Sequence, residues 1–210
     1  MNAKKVSWPL TACLLMGLAC RAAEASIEAP PPPQAPAPVP EKREPTLMEL
    51  LAEETTLPGA LKVVGPHLGD STNDLDPGAL QFALWSAGHL KWEDIQQLPE
   101  TKHAKVLKDP EAERGKRNCY RGSIIEIHVD RSAGTPVYFG GLYTGAGTVL
   151  RFAAVGSTGE LVKNSYANFC GVTTGTYSYS NSGGGMTHAV FLVGMFELAE
   201  NKPKPLDKRT

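Results

Sequence analysis

The chain has 210 residues and a formal net charge of −1 at pH 7, with 21 Lys or Arg residues against 22 Asp or Glu residues. Lys4 and Lys5 lie at the extreme N-terminus, so the remainder of the chain is more acidic than the whole. A general nucleic-acid-binding protein needs a clustered positive field to displace the counterions of phosphate. The charge balance argues against that class, and we expect no nucleic-acid partner.

Residues 1–19 have the pattern of a secretory signal peptide. Two lysines precede an uncharged, mostly apolar stretch from Val6 to Ala19. This stretch is too short to span a bilayer as a helix, and a basic start, a short apolar core and a small-residue exit are typical of an export sequence. A buried N-terminal helix is the alternative, but Pro9 interrupts the stretch.

Two processing patterns end this region. Met16-Gly17-Leu18-Ala19-Cys20 resembles a bacterial lipobox, in which the cysteine is lipidated and becomes the new N-terminus, although Gly17 stands where that family usually has an aliphatic residue. The resemblance implies a lipoprotein of the bacterial cell envelope, anchored in the membrane through Cys20 by more than one acyl chain. The alternative is cleavage after Ala25, in Ala23-Glu24-Ala25, which would release a soluble periplasmic or secreted protein.

Residues 20–45 are predicted to be a disordered linker. Eight prolines fall between Pro30 and Pro45, and such a stretch has too little apolar surface to offset the entropy lost on ordering. We expect extended polyproline geometry and a semi-stiff spacer that holds a domain away from the membrane. A proline-rich ligand for a partner's groove is the alternative.

Residues 46–115 predict short helices. Thr46-Leu47-Met48-Glu49 has the pattern of a capping box, and Pro58-Gly59 is expected to end the helix that it begins. Asp76-Pro77 predicts the start of a second helix, because aspartate caps and proline favours the first turn. Trp92 to Leu98 predicts a third. Helices this short are marginal alone, so we expect them to pack on the domain that follows.

Residues 116–200 predict a β-domain, which makes the chain mainly β with short N-terminal helices, an α+β class. Glycine, threonine and aromatic residues increase, and the apolar period becomes two or unbroken. The lysine-containing segment 201–210 is predicted to be a disordered tail. The five predicted strands are 119–130, 137–143, 148–155, 166–179 and 188–198, with a hairpin turn at 181–185.

The β-domain resembles an OB-fold. It has five predicted strands with a break between the third and the fourth, and glycines in the first and fourth. Arg114-Gly115-Lys116, leading into Gly122-Ser123-Ile124-Ile125, resembles the entry to such domains. The resemblance implies a small, five-stranded, partly open barrel that binds oligonucleotides, oligosaccharides or proteins through one face. A β-sandwich of immunoglobulin type is the alternative, although it normally needs about seven strands.

Cys119 and Cys170 follow the leader region as a pair. An even pair in an oxidising compartment predicts a disulfide, and two separate buried thiols are the alternative. The OB-fold resemblance implies that the first and fourth strands pair, which would bring the two cysteines together.

Tyrosines on the second and fourth predicted strands form a candidate binding face with one arginine. Aromatic side chains on an OB-like face stack on bases or sugars, whereas ordinary packing is the alternative. The candidate residues are Tyr138, Tyr143, Arg151, Tyr177 and Tyr179.

His128, Asp130 and His188 are the candidates for a metal or acid–base cluster. No HExxH motif or glycine–serine elbow accompanies them in the sequence, and we expect no cofactor. The sequence thus favours a non-catalytic binding or scaffolding lipoprotein whose partner is an envelope protein or glycan. A metal-assisted envelope hydrolase and an oligosaccharide- or peptidoglycan-binding module are the alternatives.

Overall fold

The computed structural model of the chain describes residues 43–181 and 183–203. The predicted signal peptide, Cys20, the cleavage site after Ala25, most of the proline-rich linker and the end of the predicted tail lie outside the described residues. Within the described ranges, no helix is long and apolar enough to cross a membrane.

The N-terminal part of the described chain is helical, as predicted. Thr46 caps the first helix through its side chain and Glu49 completes the capping box. Asp76 caps the longest helix through a bond from the Ala79 amide, at 2.8 Å. The helices are α1 (Leu47–Ala52), α2 (Leu57–Val64), α3 (Pro77–His89), α4 (Trp92–Gln97), α5 (His103–Lys108) and α6 (Pro110–Glu113).

Pro58-Gly59 begins a helix, and the expectation that this pair ends one is wrong. Thr56 is the N-cap of α2, and its hydroxyl accepts a hydrogen bond from the Gly59 amide at 3.3 Å. Proline is favourable in a first turn, where its missing N–H would have had no helical partner. The pair therefore marks a helix start, and α1 ends earlier, at Ala52.

All five strands predicted from the sequence are present, with ends shifted by one or two residues. A two-residue strand precedes them within the helical part of the chain. The strands are β1 (Ser71–Thr72), β2 (Arg117–Asp130), β3 (Val137–Thr144), β4 (Val149–Ala154), β5 (Tyr166–Ser180) and β6 (Met186–Phe196).

The six strands form one sheet that closes into an irregular ring. β3 pairs with β2 and β4, β4 pairs in parallel with β6, and β6 pairs with β5. β5 then pairs with β2, which completes the ring, and β1 adds to β5 in parallel. The fold is mixed α/β, and the single closed sheet differs from the two stacked sheets of the β-sandwich alternative.

Aromatic side chains fill the inside of the ring. The ring centroids of Phe152, Phe169 and Phe196 lie 5.1–5.3 Å apart, and all three side chains are fully buried. Val106 of α5 joins this cluster together with Ile124 and aliphatic residues of the strands. Each buried phenylalanine contributes about 1.5–3 kcal/mol through its removal from water.

A second apolar cluster joins the helices to the outside of the ring. Phe82 and Trp85 of α3 belong to it, with Ala60 of α2 and Ile95 of α4. The sheet supplies outward-facing residues, including Phe191 and Val193 of β6. The helices therefore pack on the β-domain, as expected, and they leave part of the outer face of β2, β3 and β4 uncovered.

Cys119 and Cys170 are placed as a disulfide-compatible pair. They stand directly opposite one another in the antiparallel register of β2 and β5, and their Cα atoms are 4.1 Å apart. The expected pairing of the first and fourth long strands is therefore confirmed, and with it the proximity of the cysteines.

Asn201 extends the ordered β-domain past the predicted start of the tail. Its side-chain amide donates to the carbonyl oxygens of Ser157 and Phe196, at 2.8 and 2.9 Å, and accepts from the Ser157 amide. A single polar side chain thus fastens the end of β6 to the connection after β4.

Candidate functional site

A groove lies on the outer face of the ring, between the uncovered strands and α3. Its cavity volume is about 240 Å³. Phe139 and Arg151 face it from β3 and β4, Tyr177 from β5, and Leu80 from α3. The remaining lining residues are Leu75, His128, Gly140, Phe152 and Phe191.

Arg151 lies at the centre of the polar rim of the groove. Its guanidinium carbon is 5.5 Å from the ring centroid of Tyr177 and 5.9 Å from that of Tyr179. Its Nη1 donates to Glu126 of β2, and only 21% of the Arg151 side chain is exposed. An arginine held between aromatic rings and a carboxylate has little rotamer freedom left to lose on ligand binding.

Gly141 allows Arg151 and Glu126 to meet. In the register of the sheet, Gly141 stands opposite Glu126 on one side and opposite Arg151 on the other. The two charged residues are therefore two strands apart, roughly 10 Å by the usual strand spacing. A side chain on β3 would stand between them, whereas a glycine leaves the space in which their long side chains come into contact.

Tyr177 of β5 is fixed by the segment that follows β1. The Tyr177 hydroxyl donates to the Asn73 carbonyl at 2.7 Å, next to the point where β1 pairs with β5. Tyr179 lies two residues further along the same face, with its ring centroid 5.9 Å from that of Tyr177. The result is a pre-positioned pair of aromatic rings beside the guanidinium.

Phe139 and His128 form the opposite wall. They stand opposite each other in the register of β2 and β3, and their rings stack with centroids 6.0 Å apart. The His128 side chain is exposed. The groove therefore has aromatic rings on two sides and the Arg151–Glu126 pair at its rim.

The structure brings together three of the five candidate binding residues, namely Arg151, Tyr177 and Tyr179. Tyr143 lies on the same face of β3 as Phe139 but beyond the groove, with 48% of its surface exposed. Tyr138 points the other way, because successive strand residues alternate between faces, and it packs against the interior cluster. A binding role for these residues stays a prediction.

His188 is not brought together with His128 and Asp130, so the structure gives no support to a metal or acid–base cluster of the three. His188 stands opposite Ser178 and its Nδ1 lies 2.7 Å from the Ser178 hydroxyl, on the hairpin face opposite to Tyr177 and the groove. Among residues 43–181 and 183–203, no group of three His, Cys, Asp or Glu side chains is arranged to hold a metal ion.

Asp130 has a local structural contact at the end of β2. Its carboxylate accepts a hydrogen bond from the Ser132 amide at 2.8 Å. This bond lowers the pKa of Asp130 from its ordinary value. The carboxylate thus fixes the first turn of the connection from β2 to β3.

Glu126, Phe139 and Leu80 belong to the site but were not among the candidate residues. Leu80 comes from α3, far away in sequence, and no local pattern links it to the sheet. The sequence does contain a weak signal for Glu126, since it is a lone carboxylate within an otherwise apolar stretch of a strand. A bulge between Ile124 and Glu126 turns Glu126 outward although Ile124 points into the ring.

Comparison with known proteins identifies no family. No protein-family description matches the chain, and no curated protein matches it. Among solved structures, the mitochondrial single-stranded DNA binding protein Rim1 from S. cerevisiae is similar at 12% identity and a TM-score of 0.28. The likeness covers 42% of this chain and 97% of that chain. A likeness at this TM-score carries no argument about what this chain binds.

Proposed function

We propose that the chain is an exported, lipid-anchored protein of the bacterial cell envelope whose described domain is a non-catalytic binding module. The observation that carries the binding role is the groove together with its rim, where Arg151 contacts Tyr177, Tyr179 and Glu126. Arginine and tyrosine are enriched where binding energy is concentrated.

The ring is proposed to be a divergent OB-fold. Its long strands close in the order β2, β3, β4, β6, β5 and back to β2. The groove lies on the outer face of the second and third long strands, beside the hairpin of the fourth and fifth. This is the face through which OB-folds bind their ligands.

Export and lipid attachment are supported by the leader pattern and by the cysteine pair. A disulfide-compatible pair is typical of an oxidising compartment, and the leader ends in a lipobox-like sequence at Cys20. The intact mass of the mature protein, purified from its host membranes, tests the proposal. We expect an acylated chain that begins at Cys20, and Cys20→Ser should move the protein out of the membrane fraction.

A mass equal to cleavage after Ala25, without acyl groups, would contradict the lipid anchor but leave export intact. A chain that keeps its first residues and is recovered from the cytosol would contradict both.

Photocrosslinking in the envelope tests the binding role of the groove. A photoreactive amino acid in place of Tyr179 should yield adducts of defined mass with envelope material. The matched control position is Leu107 of α5, which is 43% exposed and lies outside the groove. Equal yields of adduct at the two positions would contradict a binding role for the groove.

A further inference from the structure

The groove has the chemistry of a site for a sugar ring. It combines aromatic faces, which suit the C–H face of a pyranose, with a carboxylate and a guanidinium, which suit hydroxyl or acetamido groups. We propose that the groove binds a neutral oligosaccharide, an inference that rests on the proposed binding function and names its ligand class.

The charge of the groove favours a neutral ligand over an anionic one. Among the described residues that line it, Arg151 and His128 are the ones that can carry a positive charge. Glu126 neutralises Arg151 in direct contact, so a phosphate or nucleic-acid backbone would have to compete with a carboxylate that is already in place. Anionic polymers are instead bound by clustered, unpaired cations.

The rim still offers both donors and acceptors. The Arg151 guanidinium has five N–H donors in a fixed plane, and its contact with Glu126 uses Nη1. The Glu126 side chain is 51% exposed, so its carboxylate oxygens face solvent as well as the arginine. A donor and an acceptor that lie side by side complement a sugar, whose adjacent hydroxyls both donate and accept.

The aromatic side chains of the site supply flat apolar surfaces on which a ring-shaped ligand can stack. Tyr177 and Tyr179 flank Arg151, and Phe139 lies across the groove against His128. Aromatic side chains stack on ring-shaped ligands without demanding one sequence of units. An extended apolar peptide would use the same walls but would cover the remaining N–H groups of Arg151 and oxygens of Glu126 without offering them hydrogen bonds, which is a cost.

The size of the groove fits one ring of a longer chain. Its volume of about 240 Å³ is below the ~300–1,000 Å³ of pockets that enclose a whole drug-sized ligand. One unit can enter between the walls while neighbouring units lie on the rim. An open groove of this kind takes an internal unit of a polymer as readily as its end.

Calorimetric titration of the full mature chain with two soluble hexamers tests the inference. One probe is the β-1,4-linked hexamer of N-acetylglucosamine, which represents the backbone chemistry of cell-wall glycan, and the other is the β-1,4-linked hexamer of glucose. We expect at least one to bind. Binding of the first alone would identify acetamido recognition, whereas equal binding of both would identify a general hexose site.

Tyr179 stands at the rim of the groove, where its ring lies beside the lining residue Arg151, so variants of Tyr179 connect binding to this site. Tyr179→Ala should weaken the dissociation constant about tenfold, which is typical for the loss of one stacking ring, and Tyr179→Phe should restore it. Tyr166→Ala is the matched control, because Tyr166 is 66% exposed and lies outside the groove. Thermal melts of all variants check that each remains folded.

Absence of binding to both hexamers, or equal affinities of the chain and Tyr179→Ala, would overturn the oligosaccharide proposal. The crosslinking experiment separates this outcome from failure of the binding function itself. Adducts at position 179 that are destroyed by protease but survive muramidase would show a protein partner in the groove. The proposed binding function would then be supported, but its ligand would be a protein and not a glycan.

Discussion

At the residue scale, the consecutive glycines Gly140 and Gly141 of β3 determine how closely the strands and side chains pack at the groove. A Cβ on Gly140 would lie 2.3 Å from the Glu126 carbonyl oxygen and 2.6 Å from the Phe152 ring. A Cβ on Gly141 would instead meet side-chain atoms and no backbone, with Ile125 at 2.9 Å and Arg151 at 3.3 Å. Gly140 therefore permits close packing of backbone and core, whereas Gly141 leaves room for the charged pair above.

Gly140→Ala should destabilise the protein. The methyl group would overlap backbone and a buried aromatic ring, and overpacking of this kind costs about 1–3 kcal/mol in the free energy of unfolding. Urea denaturation monitored by circular dichroism measures the change. Gly145→Ala is the control, because no atom lies within 4 Å of its added Cβ, and its effect should stay within about 0.5 kcal/mol. Similar losses in the two variants would contradict the packing argument.

His103 links stability to pH at the other end of the ring. Asn118 donates to the Tyr120 hydroxyl at 3.0 Å, so that hydroxyl is free to donate to His103 Nδ1, which lies 2.9 Å away. Partial burial lowers the pKa of His103 from its ordinary value of 6.5, and burial also raises the pKa of Tyr120. The folded state therefore favours a neutral imidazole that accepts this bond.

The free energy of unfolding should fall as the pH is lowered through the range just below 6.5. Because the pKa of His103 is lower in the folded state, the unfolded chain binds more protons in this pH range. The contribution of His103 to stability is therefore full above its unfolded-state pKa and is lost as the pH falls to its folded-state pKa. Urea denaturation at pH 7.5, 6.5 and 5.5 measures this slope. His103→Gln should show a flatter slope over the same interval, and an unchanged slope would contradict the assignment to His103.

At the element scale, the disulfide-compatible cysteine pair lies at the closure between β2 and β5. The cysteine pair joins residues 51 apart in the sequence, and it does so where the first long strand meets the fourth to complete the ring. A crosslink at the closing seam restricts the unfolded chain and also prevents the seam from opening locally.

The double variant Cys119→Ser and Cys170→Ser should be less stable by about 2–4 kcal/mol, the usual contribution of a disulfide that closes a loop of this length. Urea denaturation under non-reducing conditions measures the difference. A reducing agent should destabilise the unaltered protein by a similar amount and leave the double variant unchanged. A reducing agent without effect on the unaltered protein would show that the two thiols are not bonded.

At the scale of the whole molecule, the helices and the ring share one apolar cluster. Phe82 and Trp85 pack with outward-facing residues of the sheet, and the Trp85 indole N–H donates to the Glu54 carbonyl at 2.9 Å. The described residues accordingly belong to one compact unit. Helices that are marginal alone gain their stability from this shared interface.

Unfolding should therefore be a single cooperative transition. Trp85 and Trp92 lie in the helical layer, so tryptophan fluorescence of the mature chain reports the helices. Far-UV circular dichroism reports helices and strands together. The two urea transitions should coincide within error, as two-state behaviour requires. A fluorescence transition at clearly lower urea would show that the helices detach from a ring that remains folded.

Local patterns predicted the elements more fully than the site. The capping box at Thr46, the Asp76-Pro77 helix start and all five long strands follow from short-range rules of hydrogen bonding and apolar period. Tyr138 and His188 show why the site was predicted only in part. Their residue types suit binding or metal chemistry, but strand alternation turns Tyr138 into the ring and places His188 on the face away from the groove.

The sequence by itself determined the helix starts at Thr46 and Asp76, the long strands and the candidate cysteine pair, because the patterns that predict them are local to the chain. Only the tertiary structure decided which side chains share the groove. Ring closure sets Arg151 beside tyrosines from β5, a bulge turns Glu126 outward, and the packing of α3 supplies Leu80. These contacts depend on register and on the close approach of distant segments, which no local pattern of residues specifies.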